Sequence, residues 1–250
     1  MAFRSANPAL NSKTFQNLRA AETEPMTING TVNRAAVMLL LLLLTAGYVW
    51  RGFFADVPPS QAMNVNIYII AGLIGGLIFA LITIFKKTWA PFTAPIYALL
   101  EGLFIGGISA FFEKMYPGIV IQAVALTFGV LLCLLAAYRS GIIKATENFK
   151  LGIVAATGSI FLIYMLTFIL GFFGISIPYI HGSGPIGIIF SLVVVVIAAL
   201  NLVLDFDFIE KGAEAGAPKY MEWYGAFGLM VTLIWLYIEI LHLLAKLRSR

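Results

Sequence analysis

Long apolar runs alternate with short polar stretches over most of this chain. The runs cover Ala35 to Phe54, Val65 to Phe85, a third from Trp89-Ala90-Pro91 to Phe112, Ile119 to Tyr138, Ile153 to Phe173, a sixth from Ile186, and Tyr224 to Ala245. Each holds roughly twenty residues, and at 1.5 Å rise that length crosses the ~30 Å hydrocarbon core of a bilayer. Alternating strand-like segments are absent, which argues against a β-barrel. The pattern predicts an all-α polytopic membrane protein with seven transmembrane helices. Gly72, Gly75 and Gly76 give the second span a small-residue face for close helix packing. The third carries Glu101-Gly102 and then Gly106-Gly107.

The polar stretches set the frame. Residues 1–34 form a polar arm with Pro8, Pro25, Arg4, Lys13 and Arg19, and a short surface helix is expected near Lys13 to Ala21. Residues 35–250 form the membrane domain. The loop from Arg139 to Lys150 is the most basic connection, and Pro178 to Pro185 is an uncharged loop containing His181. Cytoplasmic loops concentrate Lys and Arg. With the N-terminus inside, eleven of the 16 basic residues fall on the cytoplasmic side and five on the other. A cytoplasmic N-terminus is therefore expected; seven spans then place Lys246, Arg248 and Arg250 outside, unless the last segment dips in and returns, and the length of that segment favours a full span.

Composition narrows the class further. Hydrophobic residues make up 61% and charged residues only 11%, where a soluble domain carries about 25% charged. The net charge of +4 is accounted for by the loops and implies no nucleic acid. Cys133 is the only cysteine, so no disulfide forms within the chain. His181 and His242 are the only histidines, which excludes a His-rich zinc site. Neither a Gly-x-Ser-x-Gly nor a Gly-x-Gly-Asp stretch occurs, and the glycine-rich pieces follow no strand. An enzyme is not expected, and no cofactor is implied beyond a permeant ion.

Candidate chemistry rests with the acids, because an ionised carboxylate inside a bilayer is costly and persists mainly where it has a use. Glu22, Glu24, Asp56, Glu113, Glu147, Glu210, Glu214 and Glu222 fall in tails and loops and read as solvated surface. Glu101, Asp205, Asp207 and Glu239 remain. Asp205 and Asp207 point about 200° apart on a helix, so only one can face a given interior. The turn signals Gly212, Gly216 and Pro218 lie near Glu222, the midpoint between positions 205 and 239. A hairpin centred there would bring Asp205 and Glu239 to one depth. Such a pair cannot ionise fully at low cost and would share a proton, and once deprotonated its oxygens suit a hard cation such as Ca²⁺. The carboxyl separation decides this: within about 3 Å a proton is shared, beyond roughly 8 Å it is not. Asn201, His242, Asp207 and Glu101 are supporting positions. His242 has an interfacial reading as well, and Glu101 a purely packing one.

Two short motifs carry a resemblance. Asp205-Phe-Asp-Phe-Ile209 resembles the sixth-span motif of the Bax inhibitor family, and Leu236-Tyr-Ile-Glu239-Ile-Leu241 resembles its Leu-Tyr-Leu-Asp-Ile-Ile seventh-span motif. The start Ala6-Asn7-Pro8-Ala9-Leu10 looks like a bacterial branch. The resemblance implies seven helices with the last packed centrally, and a pH-sensitive calcium leak in which Asp205 and Glu239 act as the sensor. It places the chain in a bacterial inner membrane. Two positions depart from the family: the second acid is Glu, one methylene longer than Asp, and the second span has no Arg to answer the pair, only Lys86 and Lys87 at its end. The expected partners are the lipid bilayer, Ca²⁺ and H⁺. The alternative function is a non-conducting regulator that binds other membrane proteins, such as a membrane protease, in stress or cell-death control.

Overall fold

In the computed structural model, residues 24–56, 58, 63–174 and 182–249 are described. The predicted surface helix from Lys13 to Ala21, most of the polar arm, Pro178 and His181 lie outside them. Seven helices are long and apolar enough to cross a membrane: α1 (Ile28–Phe53), α2 (Val65–Phe85), α3 (Ala90–Met115), α4 (Ile119–Arg139), α5 (Glu147–Phe172), α6 (Pro185–Glu214) and α7 (Met221–Arg248). No strand occurs among the described residues, only an isolated antiparallel bridge between Pro25 and Pro218. The chain is an all-α polytopic membrane protein.

Helix ends differ from expectation where a polar residue caps a turn. α1 begins at Ile28, so residues 28–34 of the expected arm are helical. Thr27 is its N-cap and accepts a hydrogen bond from the Gly30 amide at 2.9 Å. α5 begins at Glu147, ahead of Ile153, because Thr146 accepts from the Phe149 amide. A threonine hydroxyl that satisfies one of the orphan first-turn amides allows a helix to start in polar sequence. At the start of α4, Gly118 has φ +81°, a left-handed conformation that other residues adopt at a cost.

The chain divides into two compact units, one holding 118–208 and 231–249, the other 24–117 and 209–230. In the second unit α3 packs against both α1 and α2. Glycines permit the approach. A Cβ on Gly106 would lie 2.6 Å from the Ala46 carbonyl oxygen, and one on Gly72 would lie 2.6 Å from that of Leu100. Gly102 meets Leu42 and Thr45 in the same way. Small-residue faces of this kind bring backbones within dispersion contact where no hydrophobic effect operates. Thr83 and Thr93 join α2 to α3 by a buried 2.7 Å hydrogen bond.

The first unit contains α4, α5, most of α6 and the later turns of α7. α7 is the most buried helix of the chain: 56% of its apolar stretch is buried, against 11% for α5. This agrees with a last helix packed more deeply than the others.

Candidate functional site

Within the first unit, buried and half-buried polar side chains follow one another along α5, α6 and α7. Where α5 begins, Lys150 is almost fully buried and its ammonium lies 2.8 Å from the Asp207 carboxylate on α6, with Glu147 at 3.4 Å. Further along, the Asn201 amide donates to the Thr157 hydroxyl at 2.9 Å and to the Ile197 carbonyl at 2.8 Å. The Tyr164 hydroxyl then donates to Glu239 on α7 at 3.0 Å, and the Trp235 indole donates to the same oxygen at 3.2 Å. At the far end Lys246 donates to the Ser191 hydroxyl at 2.8 Å and to the Gly187 carbonyl at 3.2 Å.

The α5 members, Lys150, Thr157 and Tyr164, recur every seven residues, and so do Thr232, Glu239 and Lys246 on α7. Seven residues are nearly two helical turns, so each set shares one face. Thr232 is buried, as are Asn201, Asp205 and Glu239. This seven-residue polar recurrence is the sequence signal for Lys150, Thr157 and Tyr164. The apolar pattern leaves Lys150 in the basic loop, three residues short of the expected helix start at Ile153.

Asp205 is fully buried. α6 is buried on every side from Asn201 to Phe206, so Asp205 and Asp207 both lie inside although they face different ways. The expectation that only one of them could be interior assumed a helix with one wet face.

The helix ends move the α6–α7 turn away from Glu222. Glu222 lies inside α7, and the connection spans residues 215–220, so the hairpin centre falls before Glu222. The contact of Lys246 with Ser191 sets the α6–α7 register. Glu239 precedes Lys246 by about two turns and Asp205 follows Ser191 by about four, which leaves roughly two turns, or about 11 Å, between the acids along the axis. This register sets the two carboxylates at different levels of the helix pair. The described residues contain no group of three or more His, Cys, Asp or Glu side chains that could hold a metal.

The remaining candidates separate. His242 is exposed on α7. Glu101 belongs to the second unit, where it accepts from the Tyr97 hydroxyl at 3.3 Å and lies against Gly76. Glu222 had been read as solvated, yet only 1% of its side chain is exposed. It accepts from the Thr27 amide and hydroxyl.

The family model for Bax inhibitor 1 like proteins matches residues 7–249, nearly the full length. The chain belongs to that family. None of the curated proteins matches it. In this member of the Bax inhibitor 1 like family, the two motifs fall on α6 and α7. Lys150 on α5 is a basic group beside Asp207 of the sixth-helix motif.

Proposed function

We propose that the protein is a proton-controlled cation leak, with Ca²⁺ as the permeant ion, whose path follows the buried polar side chains of α5, α6 and α7. The observation that carries this reading is their succession from Lys150–Asp207 at one end to Lys246–Ser191 at the other, with Asn201–Thr157 and Glu239–Tyr164 between. Polar groups inside a membrane helix unit are costly, and a file of them running end to end suits an ion or proton route better than packing alone. Asp205 and Glu239 act as separate proton-binding stations along this route. Each attracts a hard cation only when ionised. Flux therefore rises with pH as the stations lose their protons, and protons compete with Ca²⁺ for the same oxygens. The N-terminus is cytoplasmic in this reading, following the excess of basic residues on that side.

The test is Ca²⁺ entry into liposomes carrying an internal indicator, measured from pH 5 to 8. Flux should rise across that range in the native protein. Asp205→Asn and Glu239→Gln should each flatten the pH dependence and lower the flux at pH 8 by roughly tenfold, the effect of about 1.4 kcal/mol at a rate-limiting site. Absence of flux at every pH would remove this reading and leave the non-conducting regulator that binds other membrane proteins.

A further inference from the structure

In the second unit, the segment just before α1 is tied to the α6–α7 connection by several independent bonds. Pro25 pairs with Pro218 in the antiparallel bridge. The Met26 amide donates to the Ala217 carbonyl at 2.7 Å. Lys219 donates to Glu24 at 3.0 Å. Glu222, one residue into α7, accepts from the Thr27 amide at 3.1 Å and from its hydroxyl at 3.0 Å. Thr27 is in turn the N-cap of α1, so a carboxylate of α7 extends the cap of α1 from outside that helix.

The Glu222 carboxylate is built into place. Gly30 faces it with no room for a Cβ. Arg34 and Lys219 lie 3.9 and 3.7 Å from its oxygens. Arg34 also stacks over the Trp223 ring, with 5.1 Å to its centroid. A carboxylate beside a first helical turn meets the positive end of that helix, which favours its charge. The connection has backbone hydrogen bonds of its own, from the Ala217 amide to the Gly212 carbonyl at 3.0 Å and from the Met221 amide to the Pro218 carbonyl at 2.9 Å, and at Gly216 it takes φ +64° with nothing within 4 Å of where a Cβ would be.

We infer that Glu24–Thr27 is a strap that clamps the α6–α7 connection through Glu222, and that releasing it increases ion flow along the path. The inference rests on the leak reading for its functional part. The physical link is the chain itself. α6 carries Asn201, Asp205 and Asp207, α7 carries Glu239, and the six residues 215–220 join them. Fixing the connection fixes the ends of both helices, and freeing it lets α6 and α7 slide or rotate. Polar contacts such as those of Glu239 and Lys246 tolerate only a small shift, because a hydrogen bond weakens steeply with distance and angle.

The test uses the full-length protein with Cys133 replaced by Ser and cysteines placed by Pro25→Cys and Pro218→Cys. Directly opposed residues of an antiparallel bridge lie within the Cα separation that a disulfide spans. Mild oxidation should close the disulfide in nearly all molecules, read by maleimide labelling after denaturation. Oxidised protein in liposomes should leak Ca²⁺ roughly fivefold more slowly than reduced protein, the low end of ordinary coupling between sites. Gly30→Ala, which expels the Glu222 carboxylate without changing charge, should raise flux by a similar factor, and Glu222→Gln should do so to a smaller degree. Failure of the disulfide to form overturns the strap. A disulfide that forms while flux is equal in both redox states overturns its control of the path and leaves the leak standing. No flux even from the reduced protein and from native protein overturns the leak reading and the control together, and the disulfide yield then shows the clamp to be structural only.

Discussion

The two units hold their helices together by different means. In the second unit, α1, α2 and α3 meet through glycines: Gly72, Gly102 and Gly106 each face backbone of a neighbouring helix, with no space for a methyl group. In the first unit, Gly129, Gly152, Gly158 and Gly171 have nothing within 4 Å of the position a Cβ would take. There the helices are joined by Lys150 to Asp207, Asn201 to Thr157, Tyr164 to Glu239 and Lys246 to Ser191. Glycine contacts are dispersion, and they hold only at one close distance. Side-chain hydrogen bonds keep their partners oriented while allowing alternatives through water or a second acceptor. One unit is thus packed at fixed close distances, and the other is laced by polar contacts that can exchange partners.

The contrast is broken most severely at Lys150. Lys150→Met leaves Asp207 buried without its closest cation, and should cost about 3–5 kcal/mol, seen as a large fall in thermal aggregation temperature in detergent. Adding Asp207→Leu should recover most of the loss, because removing both charges is far cheaper than removing one. Next comes Gly106→Ala. Its methyl meets the backbone of Ala46 rather than a movable side chain, so a loss of about 1–3 kcal/mol is expected from the same measurement. Tyr164→Phe removes one of two donors to Glu239 and should cost about 1 kcal/mol. If its cost matched that of Lys150→Met, the file would be a single cooperative network rather than separate stations. The smallest effect belongs to Gly158→Ala on α5. With no neighbour to displace, it should leave stability unchanged or raise it by up to about 1 kcal/mol through helix propensity. A loss of the size seen at Gly106 would mean that the first unit also depends on glycine contacts.

The fold was legible in the chain, and the site only partly so. Apolar runs of bilayer length set all seven helices, and α2 and α4 begin where the pattern places them. The errors fell at capped ends. Thr27 and Thr146 let α1 and α5 start in polar sequence, and the second of these hid Lys150 among loop residues. Asp205 and Glu239 stood out as acids in apolar sequence. Their mutual depth did not, because it depends on where the connection turns, and Glu222 lies inside the helix that follows it. Nothing local in Met221-Glu222-Trp223 separates a buried carboxylate from a wet one. Its burial comes from Thr27 and Gly30, nearly two hundred residues earlier.

The seven-residue recurrence on α5 and α7 has a consequence for rate. Successive polar groups on one helix are about 10.5 Å apart along its axis, far more than one hydrogen bond. An ion on such a ladder cannot pass directly from one carboxylate to the next, and must be carried across each interval by water. If the file conducts as proposed, the crossing is set by partial dehydration between rungs, and transport is by slow hopping. On the proposed leak reading, a file spaced this way favours a slow drain of a gradient over an open pore, which a membrane that must stay polarised can tolerate.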